Sequence, residues 1–547
     1  MQYSSHRCLG SVIPSHDSGT VARVSSSASR MANSPDSEFL TNHHVFSHSQ
    51  NPPYFLTSQI IIKPNPIMGS QLKSLPFSIS SIAIIGAGPC GLSAAKYLLA
   101  QNAFSQIDVY EQQSQVGGVW NYSPRPSQTL HVPQVSATCP PDEPLPPSQR
   151  EDPKDGEGDS GPVFPSPMYH LLHTNIPRAL MGFSDLPMPG DSLIFPSRED
   201  VQGYLVQYAQ DVRHLVRFST QVVDVRLRQI DEHGRTKDQW DLDAVCLRTG
   251  ERVTKTYDAV VVASGHYATT YIPDVKGIKE FHAAHPGVIS HSKHYRTPEP
   301  FEGRKVVVVG NAASGLDIAA QIGRVCRKPL LLSVQSATSE ANLAWCGAEE
   351  VPVIEEFLVE EKGVRFKDGR VERDVDAVIF ASGYLYTFPF LQSLKPPLVT
   401  DGRRVYGLYK HLFHIEHPTL VFSGLPVKVV PFPTSETQAA VVSRTWANLL
   451  PLPSGEEMRR WEEEEAERRG DKFHVWPEGG DSGYINSVWD WLSKSGTKGK
   501  EPPHWSPEQV WQRTIYAKAK LKFELEGRSA RSLEELGFEY SPDKEDS

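Results

Sequence analysis

Two stretches of the chain share one pattern of apolar, small and polar residues. The first is SIAIIGAGPCGLSAAKYL at residues 81–98, and the second is VVVVGNAASGLDIAAQIG at residues 306–323. Each begins with an apolar run that is typical of a buried strand, continues with a glycine-rich turn, and ends with apolar residues at helical spacing. This strand–turn–helix order is the form of a dinucleotide-binding element. The sequence therefore predicts two such elements in one chain.

A second repeat supports two related domains. YDAVVVASGHY (257–267) and VDAVIFASGYLY (375–386) share an acid, an apolar run and a Ser-Gly-aromatic ending. We interpret them as the strand that closes each domain, although two unrelated core strands would also explain the pattern. Residues 216–229 alternate between apolar and polar positions, which predicts antiparallel strands. The predicted fold class is α/β, with two Rossmann-like dinucleotide-binding domains, the smaller of which is inserted into the larger.

Composition and pattern divide the chain further. Residues 1–78 are rich in Ser, His, Asn and Pro without sustained periodicity, which predicts disorder. Residues 123–167 are a second low-complexity segment, which we interpret as a surface insertion. The predicted segments are a disordered extension (1–78), a larger domain in two parts (79–272 and 378–450), an inserted domain (273–377), and a C-terminal helical cap and tail (451–547).

The bulk composition narrows the possible functions. The chain has 547 residues, of which 39% are hydrophobic and 22% are charged, so it can fold as two or three domains. A net charge of −10 disfavours a nucleic-acid binder that neutralises phosphates. The six cysteines include no C-x-x-C pair, which argues against a disulfide framework, a zinc ribbon and a dithiol redox centre. No apolar run approaches the roughly 18–20 residues that a membrane span needs.

These features predict a reduced, cytoplasmic protein without a transmembrane anchor. Arg7, Arg23 and Arg30 lie among serines with few acids, so a mitochondrial transit peptide is the less favoured alternative. A third interpretation is an extension upstream of a start at Met68. The sequence leaves the oligomeric state open, with a homodimer as one option.

The first glycine turn has the residues that a flavin nucleotide needs. Gly86 permits the tight turn, Gly88 lets backbone N–H groups approach a pyrophosphate, and Gly91 allows close packing of helix on sheet. Glu111 ends the next predicted strand, where a carboxylate accepts a hydrogen bond from a ribose 2′-OH and repels a 2′-phosphate. FAD or NAD fits such a site. The GGVWNY stretch at 117–122 favours a flavin, although by itself it could be a turn with a core Trp.

The second glycine turn differs in two positions. GNAASG keeps Gly310 and Gly315 but has Ala312 in the middle, and the extra methyl narrows the approach to a pyrophosphate. The residue 25 positions after Gly310 is Gln335, the counterpart of Glu111 by count. A neutral, hydroxyl-rich strand end tolerates a 2′-phosphate, so NADPH is predicted, with a modest preference because no Arg stands there. Candidate cations at the preceding helix end, which could equally complement the helix dipole, are Arg324, Arg327 and Lys328.

A family resemblance follows from the segment between the two turns. HPGVISHSKHYR (285–296) resembles the F-x-G-x-x-x-H-x-x-x-[YF]-[KR] signature of flavin-containing monooxygenases. Gly287, His291, Tyr295 and Arg296 match it, whereas His285 replaces the leading Phe. The resemblance extends from about 80 to 515 and includes YHLLHTNIPRALMGFSDLP, FASGYLYTFPFL and LVFSGLPVKVVPFPTSETQAA. The motifs look most like fungal members of the family.

The resemblance implies FAD and NADPH as cofactors and assigns residues by position. The FAD set is Gly86, Ala87, Gly88, Pro89, Cys90, Gly91, Glu111, Val119 and Trp120. The NADPH set is Gly310, Ser314, Gly315, Leu316 and Asp317, with Gln335 at the strand end. Thr174 and Asn175 match the family's Thr-Asn pair at the junction of flavin and nicotinamide, so Asn175 is the implied catalytic residue. Taken alone, Asn175 could be a turn-former before Pro177.

The implied reaction uses the cofactors and no metal. NADPH would reduce FAD, reduced FAD would add O₂ to give a C4a-hydroperoxyflavin, and one oxygen atom would pass to a soft sulfur or nitrogen atom of a small molecule. A Baeyer–Villiger monooxygenase acting on a carbonyl substrate remains an alternative, because its signature differs at few positions. A non-catalytic nucleotide-binding protein, suggested by Ala312, is the other. A pyridine-nucleotide:disulfide reductase would need a dithiol, which is absent. The sequence does not identify the substrate.

Overall fold

A computed structural model describes residues 77–126, 129–138, 140, 143–145, 161–231 and 236–542 of the chain. The strands in this part are β1 Ser81–Ile85, β2 Gln106–Tyr110, β3 Val216–Arg217, β4 Thr220–Asp231, β5 Thr236–Cys246, β6 Arg252–Tyr257, β7 Ala259–Val262, β8 Thr269–Thr270, β9 Ile289–His291, β10 Val306–Val309, β11 Leu330–Ser333, β12 Ala348–Val351, β13 Ile354–Leu358, β14 Gly363–Phe366, β15 Val371–Glu372, β16 Ala377–Phe380, β17 Tyr384–Leu385, β18 Leu408–Tyr409, β19 Phe413–His414 and β20 Leu420–Phe422. The α-helices are α1 Pro89–Ala100, α2 Arg178–Met181, α3 Arg198–Tyr208, α4 Ile278–Ala284, α5 Ala313–Ile322, α6 Glu340–Cys346, α7 Pro431–Trp446, α8 Gly455–Arg469, α9 Gly480–Ser495 and α10 Pro507–Leu525.

The first apolar run forms the centre of a seven-stranded sheet with the order β18-β19-β20-β7-β1-β2-β3. Strand β1 is parallel to β2 and β7, and Ile85 is paired with both Tyr110 and Val262. Residues 82–85 of β1 are all buried, as expected for a parallel strand covered on both faces. Helix α1 packs on α7, which is almost entirely buried.

The second apolar run forms the centre of a parallel five-stranded sheet with the order β12-β11-β10-β16-β9. Val309 of β10 is paired with both Ser333 of β11 and Phe380 of β16. Strands β2, β1 and β7 in the first sheet therefore correspond to β11, β10 and β16 in the second. The α/β fold class with two Rossmann-like units is confirmed, and the two Ser-Gly-aromatic segments follow equivalent strands.

The alternating segment also folds as its pattern indicates. Strands β4, β5 and β6 form an antiparallel sheet attached to the larger domain. Strands β8 and β17 pair antiparallel where the chain passes between the domains. Helix α3 begins after Ser197, whose side chain forms a capping box with Asp200.

Two predicted boundaries are wrong by a few residues. Phe77 donates its N–H to Asn448 Oδ1 at 2.6 Å, and its carbonyl accepts from the same side chain, so the ordered fold includes Phe77. Residues 1–76 lie outside the described residues. Strand β16 pairs in the second sheet through Phe380, so the inserted domain continues to that residue and does not end at 377. The repeat pattern in the sequence does not indicate at which residue strand pairing stops.

The edges of the predicted surface insertion belong to the core. Ser123 and Phe164 are buried. The Arg296 guanidinium donates from Nε to the Ser123 carbonyl at 2.7 Å and from Nη2 to the Ser166 carbonyl at 3.0 Å. Gln134 is also buried and bridges to Ile272. The interpretation as a surface insertion is therefore wrong for these parts of 123–167, and residues 146–160 lie outside the described residues.

Helices α8, α9 and α10 follow the second part of the larger domain. Ser454 and Ser506 cap α8 and α10 with capping boxes. Helix α10 packs Phe523 against Phe195. Within the described ranges, no helix combines the length and the apolar character that crossing a bilayer requires.

Candidate active site

The turn after β1 is built so that only glycine fits at two positions. Gly86 has φ +104°, and a Cβ on it would lie 2.6 Å from the Ala263 carbonyl oxygen. A Cβ on Gly91 would lie 1.8 Å from the Gly86 carbonyl oxygen. The helix therefore packs directly on the turn. This close approach brings the N-terminus of α1 to the carboxyl ends of β1 and β7, where α/β sheets bind ligands.

Gly88 and Gly118 approach each other closely next to this turn. Gly118 has φ +58°, and a Cβ on it would lie 3.1 Å from the Gly88 Cα atom. Gly88 is the N-cap of α1, and no side chain caps this helix in the described structure. Helices α3, α8 and α10, by contrast, each have a serine cap. The uncapped N-terminus of α1, next to two residues without side chains, fits a pyrophosphate.

Glu111 follows β2 and reaches back to the turn. Its Oε2 accepts from the Ala87 N–H at 2.7 Å, and its Oε1 accepts from the Gln113 N–H at 2.9 Å. Burial raises the pKa of Glu111, while these backbone hydrogen bonds lower it. A carboxylate has about four lone-pair sites, so acceptor capacity remains for a ribose hydroxyl. The residues present therefore fit FAD.

The remaining predicted flavin residues lie in α1 and in the segment around Trp120. Trp120 is buried, and the Val119 carbonyl accepts from the Ser166 hydroxyl. Cys90, in the first turn of α1, packs so closely on Gly424 that a Cβ on the glycine would lie 2.4 Å from its sulfur. Burial raises the pKa of the Cys90 thiol to about 11, against the effect of hydrogen bonds with Ser423 and Ser435. The thiol is therefore protonated at neutral pH and is not a reactive nucleophile.

His266 is a functional candidate that sequence reasoning missed. It follows β7 in the Ser-Gly-His-Tyr segment and lies between the rings of Tyr267 and Tyr386. Both ring nitrogens are buried and have no hydrogen-bond partner among the described residues. Burial lowers the pKa of His266 to about 4, and the nearby Gly424 backbone opposes that shift. Buried polar atoms without partners are rare in proteins and mark a place where a bound group is expected.

The turn after β10 repeats the first one. Gly310 has φ +104°, and a Cβ on it would lie 2.9 Å from the Ala381 carbonyl oxygen. A Cβ on Gly315 would lie 2.0 Å from the Gly310 carbonyl oxygen. Ala312 is the N-cap of α5, again without a side-chain cap in the described structure. Ala312 and Ser314 are exposed and Leu316 is half-buried. These features fit a dinucleotide whose pyrophosphate meets the N-terminus of α5.

The predicted counterpart of Glu111 is displaced by one residue. The Gly86 N–H donates to the Tyr110 carbonyl, and the Gly310 N–H donates to the Ser333 carbonyl. The residue after Ser333, Val334, therefore corresponds to Glu111, and Gln335 is one position further and exposed. The assignment of Gln335 by count is wrong because paired residues of β10 and β11, such as Val309 and Ser333, are 24 positions apart, whereas those of β1 and β2, such as Ile85 and Tyr110, are 25 apart. The conclusion that no carboxylate occupies this position is unchanged.

Two other predictions about the second turn need correction. Arg324, Arg327 and Lys328 follow the C-terminal end of α5, at the sheet edge opposite the turn, so they are not positioned to contact a 2′-phosphate there. Asp317 does not face outward from the turn. Its buried carboxylate accepts hydrogen bonds from the Tyr169 hydroxyl and from Arg528 Nη2, the latter at 3.0 Å.

Thr174 and Asn175 lie in a bend between the two domains. The Thr174 side chain is buried, and its hydroxyl donates to the Ile176 carbonyl at 2.9 Å. The Thr174 N–H donates to the Pro196 carbonyl. The Asn175 side chain is exposed and makes no hydrogen bond to any residue that the structure describes. Thr174 therefore shapes the bend, and Asn175 presents a free carboxamide.

The signature segment makes contacts within the inserted domain and, through Arg296, with the larger domain. Lys293 N–H donates to His291 Nδ1 at 3.1 Å, so His291 Nε2 carries the proton and donates to the Gly383 carbonyl at 3.0 Å. The Tyr295 hydroxyl donates to Gln321 of α5 at 2.9 Å. Arg296, as described above, holds both edges of the low-complexity segment. These contacts give the signature a structural role, and sequence matching alone shows none of them.

The fold and the two glycine turns define a flavin- and nicotinamide-dependent oxidoreductase. The family described as flavin-binding monooxygenase-like matches residues 164–345 and 342–501, and an NAD(P)-binding Rossmann-like domain matches residues 84–141. The chain belongs to the flavin-binding monooxygenase-like family, whose members are enzymes that use FAD and NADPH.

Individual relatives agree with this assignment. The flavin-containing monooxygenase FMO GS-OX-like 2 of Arabidopsis thaliana is 34% identical over 396 residues, which are 70% of this chain and 77% of the relative. The S-allyl-L-cysteine S-oxygenase of Allium sativum is 28% identical with a TM-score of 0.64, over 85% of this chain and 98% of that one. Tmm of a Pelagibacter strain shares the fold at 22% identity, with a TM-score of 0.59, over 81% and 91%. The likeness to fungal members stays a prediction.

Proposed function

We propose that this protein is an NADPH- and O₂-dependent monooxygenase that oxygenates a soft sulfur or nitrogen atom of a small molecule. The observation that carries the proposal is the free carboxamide of Asn175 on a segment that joins both domains. Tyr169, at the start of this segment, packs in the core of the inserted domain, which is the proposed nicotinamide domain. The larger domain is the proposed flavin domain. Ile176, at its end, packs on the core of the flavin domain. Asn175 thus lies on a segment whose two ends pack in the two domains.

The protein's part in this reaction is to bind, orient and shield. A bound flavin would supply the redox and oxygen chemistry between NADPH, O₂ and the substrate. The N-termini of α1 and α5 hold the pyrophosphates, and Glu111 accepts from a ribose hydroxyl. The Asn175 carboxamide supplies a donor and an acceptor at the junction, where it replaces water. For a sulfide the balance is NADPH, H⁺, O₂ and sulfide to NADP⁺, water and sulfoxide.

Sulfur is favoured over nitrogen as the acceptor. The support is the similarity to a protein whose name describes it as an S-oxygenase of S-allyl-L-cysteine. The protonated Cys90 thiol, with its pKa near 11, speaks against a thiol-dependent reductase. Membership of a monooxygenase family speaks against the non-catalytic alternative.

Substrate panels test the proposed reaction. Purified protein with FAD is incubated with NADPH under ¹⁸O₂ and with a thioether, a tertiary amine or a cyclic ketone. We expect NADPH consumption and a sulfoxide that contains one ¹⁸O atom. An ester or lactone from the ketone, without a sulfoxide, would instead establish the Baeyer–Villiger alternative. NADPH consumption without any oxygenated product from the panel would contradict oxygen transfer to these classes.

The choice between NADPH and NADH can be altered at the end of β11. Val334 stands where a carboxylate would hold an NAD ribose, and Asn311 Nδ2 holds the following loop through the Ser336 carbonyl at 2.8 Å. The Glu350 carboxylate accepts the Thr338 N–H in the same loop, which adds negative charge near a 2′-phosphate. We therefore expect only a several-fold preference for NADPH. Ser336→Arg should raise it about tenfold, or roughly 1.4 kcal/mol, through KM.

Variants at neighbouring positions provide the controls for this prediction. Val334→Glu should shift the preference toward NADH, because its carboxylate takes the place that Glu111 has in the first domain. Gln335→Glu, one residue further and exposed, should have the smaller effect. Steady-state kcat/KM for both nucleotides is the measurement. An equal response to Val334→Glu and Gln335→Glu would contradict the register derived from β11.

A further inference from the structure

The C-terminal segment makes a buried contact that ties three parts of the chain together. Arg528 Nη2 donates to Asp317 Oδ1 at 3.0 Å, and Arg528 Nη1 donates to the Leu171 carbonyl at 2.8 Å. Its Nε donates to Glu524 Oε2 at 2.6 Å. The side chains of Arg528 and Asp317 are 16% and 10% exposed. One guanidinium therefore contacts α5 of the nicotinamide domain, the segment leading to Asn175, and the end of α10.

The second carboxylate oxygen of Asp317 also contacts the segment that leads to Asn175. This oxygen accepts from the Tyr169 hydroxyl, and the Tyr169 ring packs edge-on against Tyr295 at 5.4 Å. Asp317 is the fifth residue of α5, so it moves with the helix whose N-terminus follows the second glycine turn. Leu171 is four residues before Asn175. A shift of α5 relative to this segment would have to break the contacts of Asp317 with both Arg528 and Tyr169.

The backbone at Arg528 indicates that the contact is maintained against a local cost. Arg528 has φ +60°, in the left-handed region that residues other than glycine seldom adopt. Such conformations persist only when the surrounding contacts determine them. The segment also lies beyond residue 501, where the family match ends.

We propose that Arg528 is a positioning residue. Arg528 holds Asp317 and the Leu171 carbonyl at once, and so fixes the N-terminus of α5 relative to the Thr174–Asn175 bend. This relative position sets the rate of hydride transfer from NADPH to the flavin. Two reactive groups held in the wrong relative position by about 1 Å can lose on the order of a hundredfold in rate. The kinetic part of this inference rests on the proposed function, whereas the structural part does not.

Anaerobic stopped-flow reduction of the bound flavin by NADPH tests the kinetic part. In Arg528→Met we expect the limiting reduction rate to fall about tenfold or more. The NADPH Kd should change by less than about threefold, because the N-terminus of α5 still binds the pyrophosphate. Flavin reduction should also be slow in Arg528→Lys, since one ammonium group cannot replace a guanidinium that donates to three partners at once. The Asp317→Asn/Arg528→Met double variant should reduce its flavin no more slowly than the slower single variant, because both changes disrupt the same Arg528–Asp317 contact.

A matched control removes a cation from α10, the helix that precedes Arg528. Lys522 of α10 pairs with Glu526, just after the helix, and contacts neither Asp317 nor Leu171, so Lys522→Met should reduce its flavin at the wild-type rate. A purely structural role of Arg528 predicts a lower Tm and lower flavin content in Arg528→Met, with an unchanged limiting rate in the flavin-containing fraction. A limiting rate within twofold of wild type would therefore overturn the proposal.

Hydrogen exchange without NADPH tests the structural part. We expect faster exchange in Arg528→Met and Arg528→Lys over residues 169–174 and 313–322, and unchanged exchange over residues 82–91. Unchanged exchange in all three regions would also overturn the proposal. If NADPH fails to reduce the wild-type flavin, the proposed function is wrong, and the exchange data still decide whether Arg528 holds the two segments together.

Discussion

Gly315→Ala should give a yellow protein that NADPH no longer reduces, whereas Gly91→Ala should give a colourless one. The Cβ atoms would lie 2.0 Å and 1.8 Å from the Gly310 and Gly86 carbonyl oxygens, so each turn would have to move away from its helix. Overpacking of this kind costs about 3 kcal/mol, or roughly a hundredfold in dinucleotide affinity. The two effects should be separable, because the turns belong to different sheets.

Three measurements distinguish loss of one cofactor from loss of the fold. The amount of flavin released per protein gives the occupancy of the FAD site at the first glycine turn. Dithionite should still reduce the flavin in Gly315→Ala. Gly203→Ala in α3 is the control, because a Cβ there meets nothing within 4 Å. Normal reduction of Gly315→Ala by NADPH would show that the second turn does not hold the nucleotide.

The parts of this fold that could be predicted from sequence are local ones. The apolar runs, the glycines and the first helical turns lie within about 18 residues of one another, and each constraint acts between near neighbours in the chain. The same holds for Ser197 as an N-cap and for the alternating strands. The prediction of two Rossmann-like units was right for this reason.

The parts that failed depend on contacts between distant residues or on exact lengths. The count to Gln335 assumed equal spacing in both units, but residues of β10 pair with residues 24 positions later, against 25 for β1 and β2, so Val334 follows the strand end. Asp317 was assigned to NADPH by its position in the family motif, whereas its partner Arg528 lies 211 residues away and no local pattern indicates it. Arg296 closes the low-complexity segment from 173 residues away, which no local pattern indicates.

Asn175→Ala should uncouple NADPH consumption from oxygen transfer. Hydride transfer does not require the Asn175 carboxamide, so flavin content and flavin reduction should stay near wild type. Loss of one hydrogen-bonding group at the reacting centre costs on the order of 2–4 kcal/mol, or about 30- to 1000-fold in product formation. The oxygen that is not transferred should appear as H₂O₂. The ratio of product to NADPH consumed, measured with H₂O₂, is the decisive quantity.

The competing interpretation is that Asn175 only shapes the bend before Pro177. In the structure the bend is held by the Thr174 hydroxyl and N–H, while the Asn175 side chain has no hydrogen bond to any described residue. Thr174→Val is therefore the matched control, because it removes the bend's hydrogen bond and leaves the carboxamide. It should lower stability by about 1 kcal/mol without changing the ratio of product to NADPH. If Asn175→Ala shows that same behaviour, with a lower Tm and an unchanged ratio in the flavin-containing fraction, then Asn175 acts on the fold and not on oxygen transfer.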